Sequence, residues 1–184
     1  MKRVAIVGSG GAGKSRLATL LGARTGLPVI HLDREFWRPG WVPTPDDEWA
    51  ARVSELVQGD RWIIDGNYGG TMESRLARAD TVLFLDLPRL VCLWAVTRRA
   101  LRYWGRSRPD MGPGVNEKLS AAFLRWVWDY PEKSRPDVLE RIARLPPQVN
   151  VIRFRSRRAV RHWLMGVPRA VSPADPAGRA EVAA

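Results

Sequence analysis

The sequence is poor in features that mark secreted or membrane proteins. Its single cysteine, Cys92, cannot form an internal disulfide bond, which is typical of a reducing compartment and predicts a cytoplasmic protein. The longest apolar run, 90–96, has seven residues, whereas a membrane helix needs roughly 18–20. Gly8 interrupts the first apolar stretch too early for a signal peptide. With 45% apolar and 27% charged residues, the 184-residue chain predicts one folded domain rather than a disordered or fibrous one.

Acidic side chains are scarce in the second half of the chain. Residues 1–87 carry 11 basic and 11 acidic side chains, whereas residues 88–165 carry 17 basic and 6 acidic ones, a net charge of +11. Arginine outnumbers lysine 26 to 4. The guanidinium group binds phosphate in a bidentate fork, so a phosphate-bearing partner is one interpretation. A solvated basic face is the other.

A phosphate-binding motif lies near the N-terminus. Residues 8–15, GSGGAGKS, match G-x-x-x-x-G-K-S/T, and they stand between a predicted strand, 3–7, and a helix that ends at Gly26. Such a loop turns successive backbone N–H groups toward phosphate oxygens, and the helix N-terminus adds its positive dipole end. The residues predicted to contact the nucleotide here are Gly8, Gly10, Gly11, Ala12, Gly13, Lys14, Ser15 and Arg16. Lys14 reaches the outer phosphates, and Ser15 is a predicted ligand of Mg²⁺.

The rest of the chain alternates strands and helices, which predicts an α/β sheet protein. Further strands are predicted at 28–32, 62–65, 81–86 and 150–154, and helices at 44–57 (capped by Thr44, with Pro45 at its first position), 71–78, 88–104, 116–130, 136–145 and 156–164. Residues 105–115 are rich in glycine, proline and charge and predict a mobile loop. The tail, 166–184, lacks periodicity and is predicted to be disordered.

This arrangement resembles the adenylate kinase-like group of P-loop kinases. The segments HLDREFW, IIDGNY and LFLDLP resemble, more closely, the kinase-like proteins labelled DNA topology modulation proteins, over residues 1–165. The resemblance implies a three-layer P-loop NTPase sandwich with a parallel sheet of order 2-3-1-4-5. It also implies ATP and Mg²⁺ as cofactors, and an arginine-rich lid over about 98–135.

Two carboxylates are predicted at strand ends, where open α/β sheets bind their ligands. Asp65 ends the third strand and is a predicted metal ligand beside Ser15; a turn aspartate is the alternative. Asp33 ends the second strand, where related kinases with a hydroxyl acceptor use an aspartate as base or orienting group; a loop cap is the alternative. Asp86 is interpreted as the cap of the following helix.

The acceptor side departs from the nucleoside monophosphate kinase pattern. Those kinases carry D-G-F-P-R at the third strand, and the arginine holds the acceptor's phosphate. Here Gly69 takes the place of that arginine, with Arg34 or Arg38 as distant substitutes. The departure favours a hydroxyl acceptor. Asn67, Tyr68 and Trp37 are predicted to contact it, and Trp41 is a weaker candidate.

The resemblance places further arginines around the transferred phosphoryl group and around the adenine base of ATP. Arg98, Arg102 and Arg106 are predicted to neutralise charge on the phosphoryl group, and Arg155 and Arg157 to lie in the adenine-binding loop. Lys133 and Arg135 are further candidates for closing the site.

The function predicted from these residues is an ATP-dependent kinase acting on an unidentified small molecule, as a monomer or homodimer without membrane contact. The alternatives are a regulator or ATPase acting on nucleic acid through the basic half, and a nucleotide kinase with a phosphate acceptor. Against DNA binding, no helix-turn-helix or base-reading stripe is visible.

Overall fold

The computed structural model describes residues 1–170, which form an α/β sandwich around one parallel sheet. Five parallel strands make the sheet, namely β1 (Arg3–Gly8), β2 (Val29–His31), β5 (Trp62–Asp65), β6 (Thr81–Leu85) and β7 (Asn150–Phe154). Two short strands, β3 (Trp37–Arg38) and β4 (Val42–Pro43), pair separately as an antiparallel hairpin. The predicted α/β architecture with a five-stranded parallel sheet is confirmed.

The strand order along the sheet is β2-β5-β1-β6-β7. This order differs in its numbering from the predicted 2-3-1-4-5, because the hairpin strands β3 and β4, which were not predicted, are counted between β2 and β5. The central strands are apolar throughout: every residue of β5 and β6 is buried. Strands covered on both faces read as continuous apolar runs, which is why they were recognisable.

Helices cover both faces of the sheet. They are α1 (Lys14–Thr25), α2 (Leu32–Phe36), α3 (Asp46–Leu56), α4 (Met72–Arg78), α5 (Arg89–Arg102), α6 (Ala121–Lys133), α7 (Arg135–Ala143) and α8 (Arg157–Gly166). One core layer packs α1, α5 and α8 against the sheet. The other packs α3, α4 and α7 against the opposite face. No helix among residues 1–170 is long and apolar enough to cross a bilayer.

Several helix ends differ from the predictions. The helix predicted from Thr44 begins at Asp46 with Pro45 as its N-cap, because the Thr44 hydroxyl instead donates to the Phe36 carbonyl at 2.7 Å. The helix predicted from 116 begins at Ala121, where the Ser120 side chain accepts from the Phe123 N–H. The predicted cap of the last helix is confirmed: Ser156 accepts a hydrogen bond from the Ala159 N–H.

The packed part of the chain continues past Gly166, where a disordered tail was predicted to begin. Gly166 ends α8, and Val167 is buried in the core layer on the α1 side. The Arg24 guanidinium donates to the carbonyls of Met165 and Val167 and so fixes this end of the chain. The rest of the predicted tail, 171–184, lies outside the described residues.

Candidate active site

The loop between β1 and α1 has the backbone of a phosphate cradle. Gly11 has φ +76°, and a Cβ there would lie 2.3 Å from the Cys92 carbonyl oxygen of α5. Gly13 has φ +98° and stands at the N-cap of α1 without a side-chain cap. The first amide groups of α1 therefore have no protein acceptor at this end. The loop can accept an anion where backbone dipole and N–H groups converge.

Lys14 lies within this loop rather than in solvent. Its Nζ donates to the carbonyls of Gly8 at 2.9 Å and Ser9 at 3.0 Å. Burial lowers the pKa of the Lys14 amine, although the charges of Asp33 and Asp65 oppose that effect. One ammonium group thus shares a buried edge of the sheet with both predicted site carboxylates.

Asp65 ends β5, as predicted, and its carboxylate is held on one side by His31. In the parallel register of β2 and β5, His31 stands beside Asp65, and the His31 Nδ1 lies 2.9 Å from the Asp65 Oδ1. Burial lowers the pKa of His31, but the hydrogen bond and the charge of Asp65 outweigh burial, and the pKa is raised. The other oxygen, Oδ2, is buried without a hydrogen-bond partner among the described residues. That free oxygen is suited to a cation or an ordered water.

Asp33 lies two residues beyond the end of β2, in the short helix α2, and not at the end of the strand as predicted. Its Oδ1 accepts a hydrogen bond from the Tyr68 hydroxyl at 2.7 Å. Burial, and then the charge of Asp33, raise the pKa of Tyr68, so the phenol remains a donor. Since Tyr68 engages only Oδ1, it orients the carboxylate and leaves Oδ2 for another donor.

The turn after β5 is fixed by Arg75, a residue that sequence reasoning missed. Arg75 is completely buried in α4. Its guanidinium donates to the carbonyls of Gly66 at 2.9 Å, Asn67 at 2.7 Å and Tyr68 at 3.1 Å. Asn67 in turn accepts from the Gly8 N–H at 3.0 Å through its Oδ1. Arg75 therefore supports both predicted acceptor contacts, Asn67 and Tyr68, from beneath.

Replacing Arg75 by methionine should lower the free energy of unfolding by roughly 2–4 kcal/mol, because several buried carbonyls would lose their donor. Urea unfolding followed by circular dichroism measures the change. Arg78→Met is the matched control, since Arg78 lies one turn away on α4 and donates only to the carbonyls of Val57 and Gln58 near the surface. Equal losses in the two variants would contradict the supporting role of Arg75.

The segment 103–120 packs against the β3–β4 hairpin. The Gly40 N–H donates to the Gly114 carbonyl at 3.0 Å, and the Trp41 indole N–H donates to the Asn116 carbonyl at 2.7 Å. The Trp37 and Trp41 rings meet edge to face, with centroids 5.3 Å apart. A Cβ at Gly112 would lie 3.7 Å from the carbonyl oxygens of Arg34 and Trp37, so the segment and the hairpin form a wall beside α2, which carries Asp33.

The three predicted lid arginines lie on the surface and make no ion pair within residues 1–170. Arg98, Arg102 and Arg106 are exposed; the Arg98 guanidinium lies 5.2 Å from the Trp94 ring centroid. Arg99, the helix residue between them, points inward, with its Nε 3.1 Å from the Glu117 Oε2 and its guanidinium over Phe123. Burial, and then the charge of Arg108, lower the pKa of Arg99, whereas Glu117, Asp110 and Asp33 oppose the shift.

Glu117 and Arg108 extend this contact into a buried network. The Arg108 Nε lies 2.7 Å from the same Glu117 Oε2, and its terminal nitrogen lies 3.0 Å from Asp110. Glu117 and Arg108 are both buried. The network ties the segment 103–120 to α5 and holds Arg99 on its inner side.

The two arginines predicted to bind adenine, Arg155 and Arg157, have different surroundings in the structure. Arg157 donates to the Gly11 carbonyl at 3.4 Å and lies 5.9 Å from the Trp94 ring centroid. Arg155 instead lines a cavity that no residue of the phosphate loop reaches. Arg16 is exposed on α1.

Other candidates are engaged in ion pairs. Lys133 pairs with Asp129 at 2.8 Å within α6. Arg135 pairs with Asp86 at 2.8 Å, and Arg153 binds the same carboxylate. Asp86 was predicted to cap α5, but the structure shows no side-chain cap there, because both of its oxygens are taken by these arginines.

The fold is similar to that of solved small-molecule kinases. A shikimate kinase from Acinetobacter baumannii, in complex with shikimate, superposes with a TM-score of 0.58 at 16% identity, over 90% of this chain and 89% of that one. A shikimate kinase from Bacteroides thetaiotaomicron gives 0.54 at 17% identity, over 89% and 94% of the two chains. A sugar kinase from Janibacter sp. gives 0.50 at 18% identity, over 90% and 91%. At these identities the likeness shows the fold alone.

No protein-family model matches the sequence, and neither does any curated protein. The closer resemblance to the proteins labelled DNA topology modulation proteins is therefore not supported. What is supported is the coarser likeness to the kinase fold, through the structures above.

Proposed function

We propose that this protein is a kinase that transfers the γ-phosphoryl group of ATP to a hydroxyl group of a small molecule. The observation that carries the proposal is the placement of Lys14 beside two carboxylates with different partners. Asp65 is paired with His31, and Asp33 is oriented by Tyr68. The likeness of 90% of the chain to a shikimate kinase and a sugar kinase supports this choice, because their named substrates are small hydroxylated molecules.

ATP would bind with its phosphates along the loop from Gly8 to Ser15. On leaving the Gly8 and Ser9 carbonyls, the Lys14 ammonium can follow the outer phosphates. The adenine base would lie near Trp94, an exposed tryptophan that was not predicted as a site residue. The guanidinium groups of Arg98 and Arg157 lie 5.2 and 5.9 Å from the Trp94 ring centroid. Arg157 also donates to the Gly11 carbonyl. Guanidinium groups and an indole ring offer stacking surfaces for a planar base.

The residues fit a Mg²⁺ ion that accompanies ATP. Asp65 has one buried carboxylate oxygen without a hydrogen bond among the described residues, and Ser15 is the second residue of α1, at the end of the loop. Hard oxygen donors of this kind suit Mg²⁺. Asp65 and Ser15 would hold the ion directly or through water, and His31 would keep the Asp65 carboxylate in place. Mg²⁺ neutralises charge on the β- and γ-phosphates when bound.

Asp65→Asn should raise the Mg²⁺ concentration at half-maximal ATP turnover by roughly tenfold or more, because an amide is a weaker cation ligand and disturbs the pairing with His31. The measurement is a Mg²⁺ titration of ADP release. Asp60→Asn is the matched control, since Asp60 is exposed in the turn before β5. An unchanged Mg²⁺ titration would show that Asp65 does not bind the ion and has a structural role.

The acceptor would lie between Asp33 and the turn after β5. Asp33 can accept the proton of an attacking hydroxyl through its free oxygen, and Asn67, Tyr68 and Trp37 would line the pocket. The Arg75 guanidinium beneath this turn is taken up by backbone carbonyls, and Arg38 is paired with Glu48, so neither is free to clamp an acceptor phosphate. This chemistry favours a neutral hydroxyl over a phosphate as the attacking group.

Arg99 is the arginine best placed to stabilise charge on the transferred phosphoryl group. It lies inside the network with Glu117, within electrostatic range of Lys14 and Asp33. The segment 103–120 would act as the lid, excluding water so that ATP is not hydrolysed. Arg98, Arg102 and Arg106 remain candidates only in a more closed arrangement.

The test is a screen of ADP release against sugars, polyols, cyclic hydroxy acids such as shikimate, nucleosides and nucleoside monophosphates. Turnover with hydroxyl compounds, and product phosphorylated at a hydroxyl by ³¹P NMR, is the expected result. If only nucleoside monophosphates raise ADP release, the acceptor assignment is wrong and the nucleotide-kinase alternative takes its place.

A further inference from the structure

A second concave site lies at the carboxyl ends of β6 and β7, outside the proposed active site. The cavity measures about 560 Å³ and is bounded by the end of β6, the start of α5, the end of α6 and the residue after β7. That volume lies within the range of pockets that hold small ligands, roughly 300–1,000 Å³. None of the residues 8–15 lines it. Arg157, by contrast, reaches Gly11 on the phosphate-loop side of α5.

Three guanidinium groups face this cavity, from Arg89, Arg135 and Arg155. The one lining carboxylate, Asp86, is already neutralised by Arg135 and Arg153. Arg89 lies over the Trp128 ring, 4.9 Å from its centroid, and pairs with Glu132 near the surface. Arg155 has no ion pair within residues 1–170. The cavity therefore keeps an excess of positive charge that the described residues do not cancel.

The remaining lining is apolar, apart from one phenol. Two leucines and two prolines form the floor and sides, together with Trp128. Tyr130 is buried, and its hydroxyl makes no well-formed hydrogen bond with the described residues, although the Asn67 side chain lies beside it. Burial raises the pKa of Tyr130 to about 12, so the phenol is protonated at neutral pH. A buried phenol held by so weak a contact can donate to a ligand oxygen instead.

We propose that this cavity binds a small organic phosphate, a phosphate monoester whose apolar or aromatic body lies against the leucine and proline side chains. Arg155 and Arg89 would hold the phosphate oxygens, because the guanidinium fork matches phosphate geometry. Trp128 would cover the organic body at the rim. None of the residues assigned to the ATP site or to the acceptor pocket lines the cavity, although Tyr130 adjoins Asn67 of that pocket. The proposal does not require the proposed kinase activity.

The probe is phenyl phosphate, an aromatic phosphate monoester, with its dissociation constant measured by ligand-observed NMR on the full chain. Arg155→Ala should weaken binding by roughly tenfold or more, the usual effect of losing one charge-assisted hydrogen bond. Tyr130→Phe should also weaken it. Arg158→Ala is the matched control: Arg158 is exposed on α8, three residues further along the chain, and does not line the cavity.

The Lys14→Ala variant distinguishes binding in this cavity from binding at the phosphate loop. Binding of phenyl phosphate that survives in Lys14→Ala and weakens in Arg155→Ala is the expected result. Binding lost in Lys14→Ala but kept in Arg155→Ala would place the phosphate on the loop and overturn the proposal. Equal effects of Arg155→Ala and Arg158→Ala, or no binding to the unaltered chain, would overturn it as well. Neutral benzyl alcohol should not compete.

Discussion

Replacing Lys14 by alanine should abolish ATP turnover while the chain keeps its fold. The Lys14 ammonium lies inside the phosphate loop, held by the Gly8 and Ser9 carbonyls beside Asp33 and Asp65. Removing a group of this kind from a preorganised site costs roughly 10²–10³-fold in rate. Steady-state ADP release with the best acceptor measures the loss, and thermal unfolding tests the fold.

Lys2→Ala provides the matched control for this experiment. Lys2 is exposed just before β1, at the end of that strand opposite the phosphate loop, so its loss should leave turnover unchanged. A folded Lys14→Ala protein with near-normal ATP turnover would remove the assignment of residues 8–15 as the nucleotide site. The whole proposed function would fall with it.

Asp33→Asn should lower kcat for the true acceptor by roughly 10²-fold or more, the usual contribution of a positioned acid–base group. The structure adds a reason beyond position: the Tyr68 hydroxyl is committed to one oxygen of Asp33 and leaves the other free. An asparagine amide would keep most of the contacts, yet it cannot take a proton. Background ATP hydrolysis should change little, since Lys14, Ser15 and Asp65 would still hold the nucleotide.

Both reactions should be measured in the same preparation of the Asp33→Asn variant. Asp47→Asn is the control, because Asp47 is exposed in the first turn of α3. A loose phosphoryl-transfer transition state asks less of a base, so the ratio of the two rates is more informative than either rate alone. If Asp33→Asn is nearly silent with a hydroxyl acceptor, Asp33 is a structural contact of Tyr68 and not a base.

Consecutive residues were enough to predict the phosphate loop, the five strands of the sheet and the α/β class. The motif at 8–15, the apolar strands and the Ser156 cap are all local signals, carried by residue type and spacing. Helix ends were less predictable because a competing contact decided them. Thr44, for instance, has the right residue type for an N-cap, but its hydroxyl bonds the Phe36 carbonyl.

The partners of the site residues could be read only from the tertiary structure. His31 meets Asp65 because two strands far apart in the chain pair in one parallel register, and register leaves no trace in either strand alone. Each helix residue turns by about 100° from the one before it, and packing alone decided that Arg99 points inward while Arg98 and Arg102 remain exposed. Arg75 is an arginine on a short helix in the sequence, but becomes the support of the site because burial leaves its guanidinium only the carbonyls of the turn after β5 to bind.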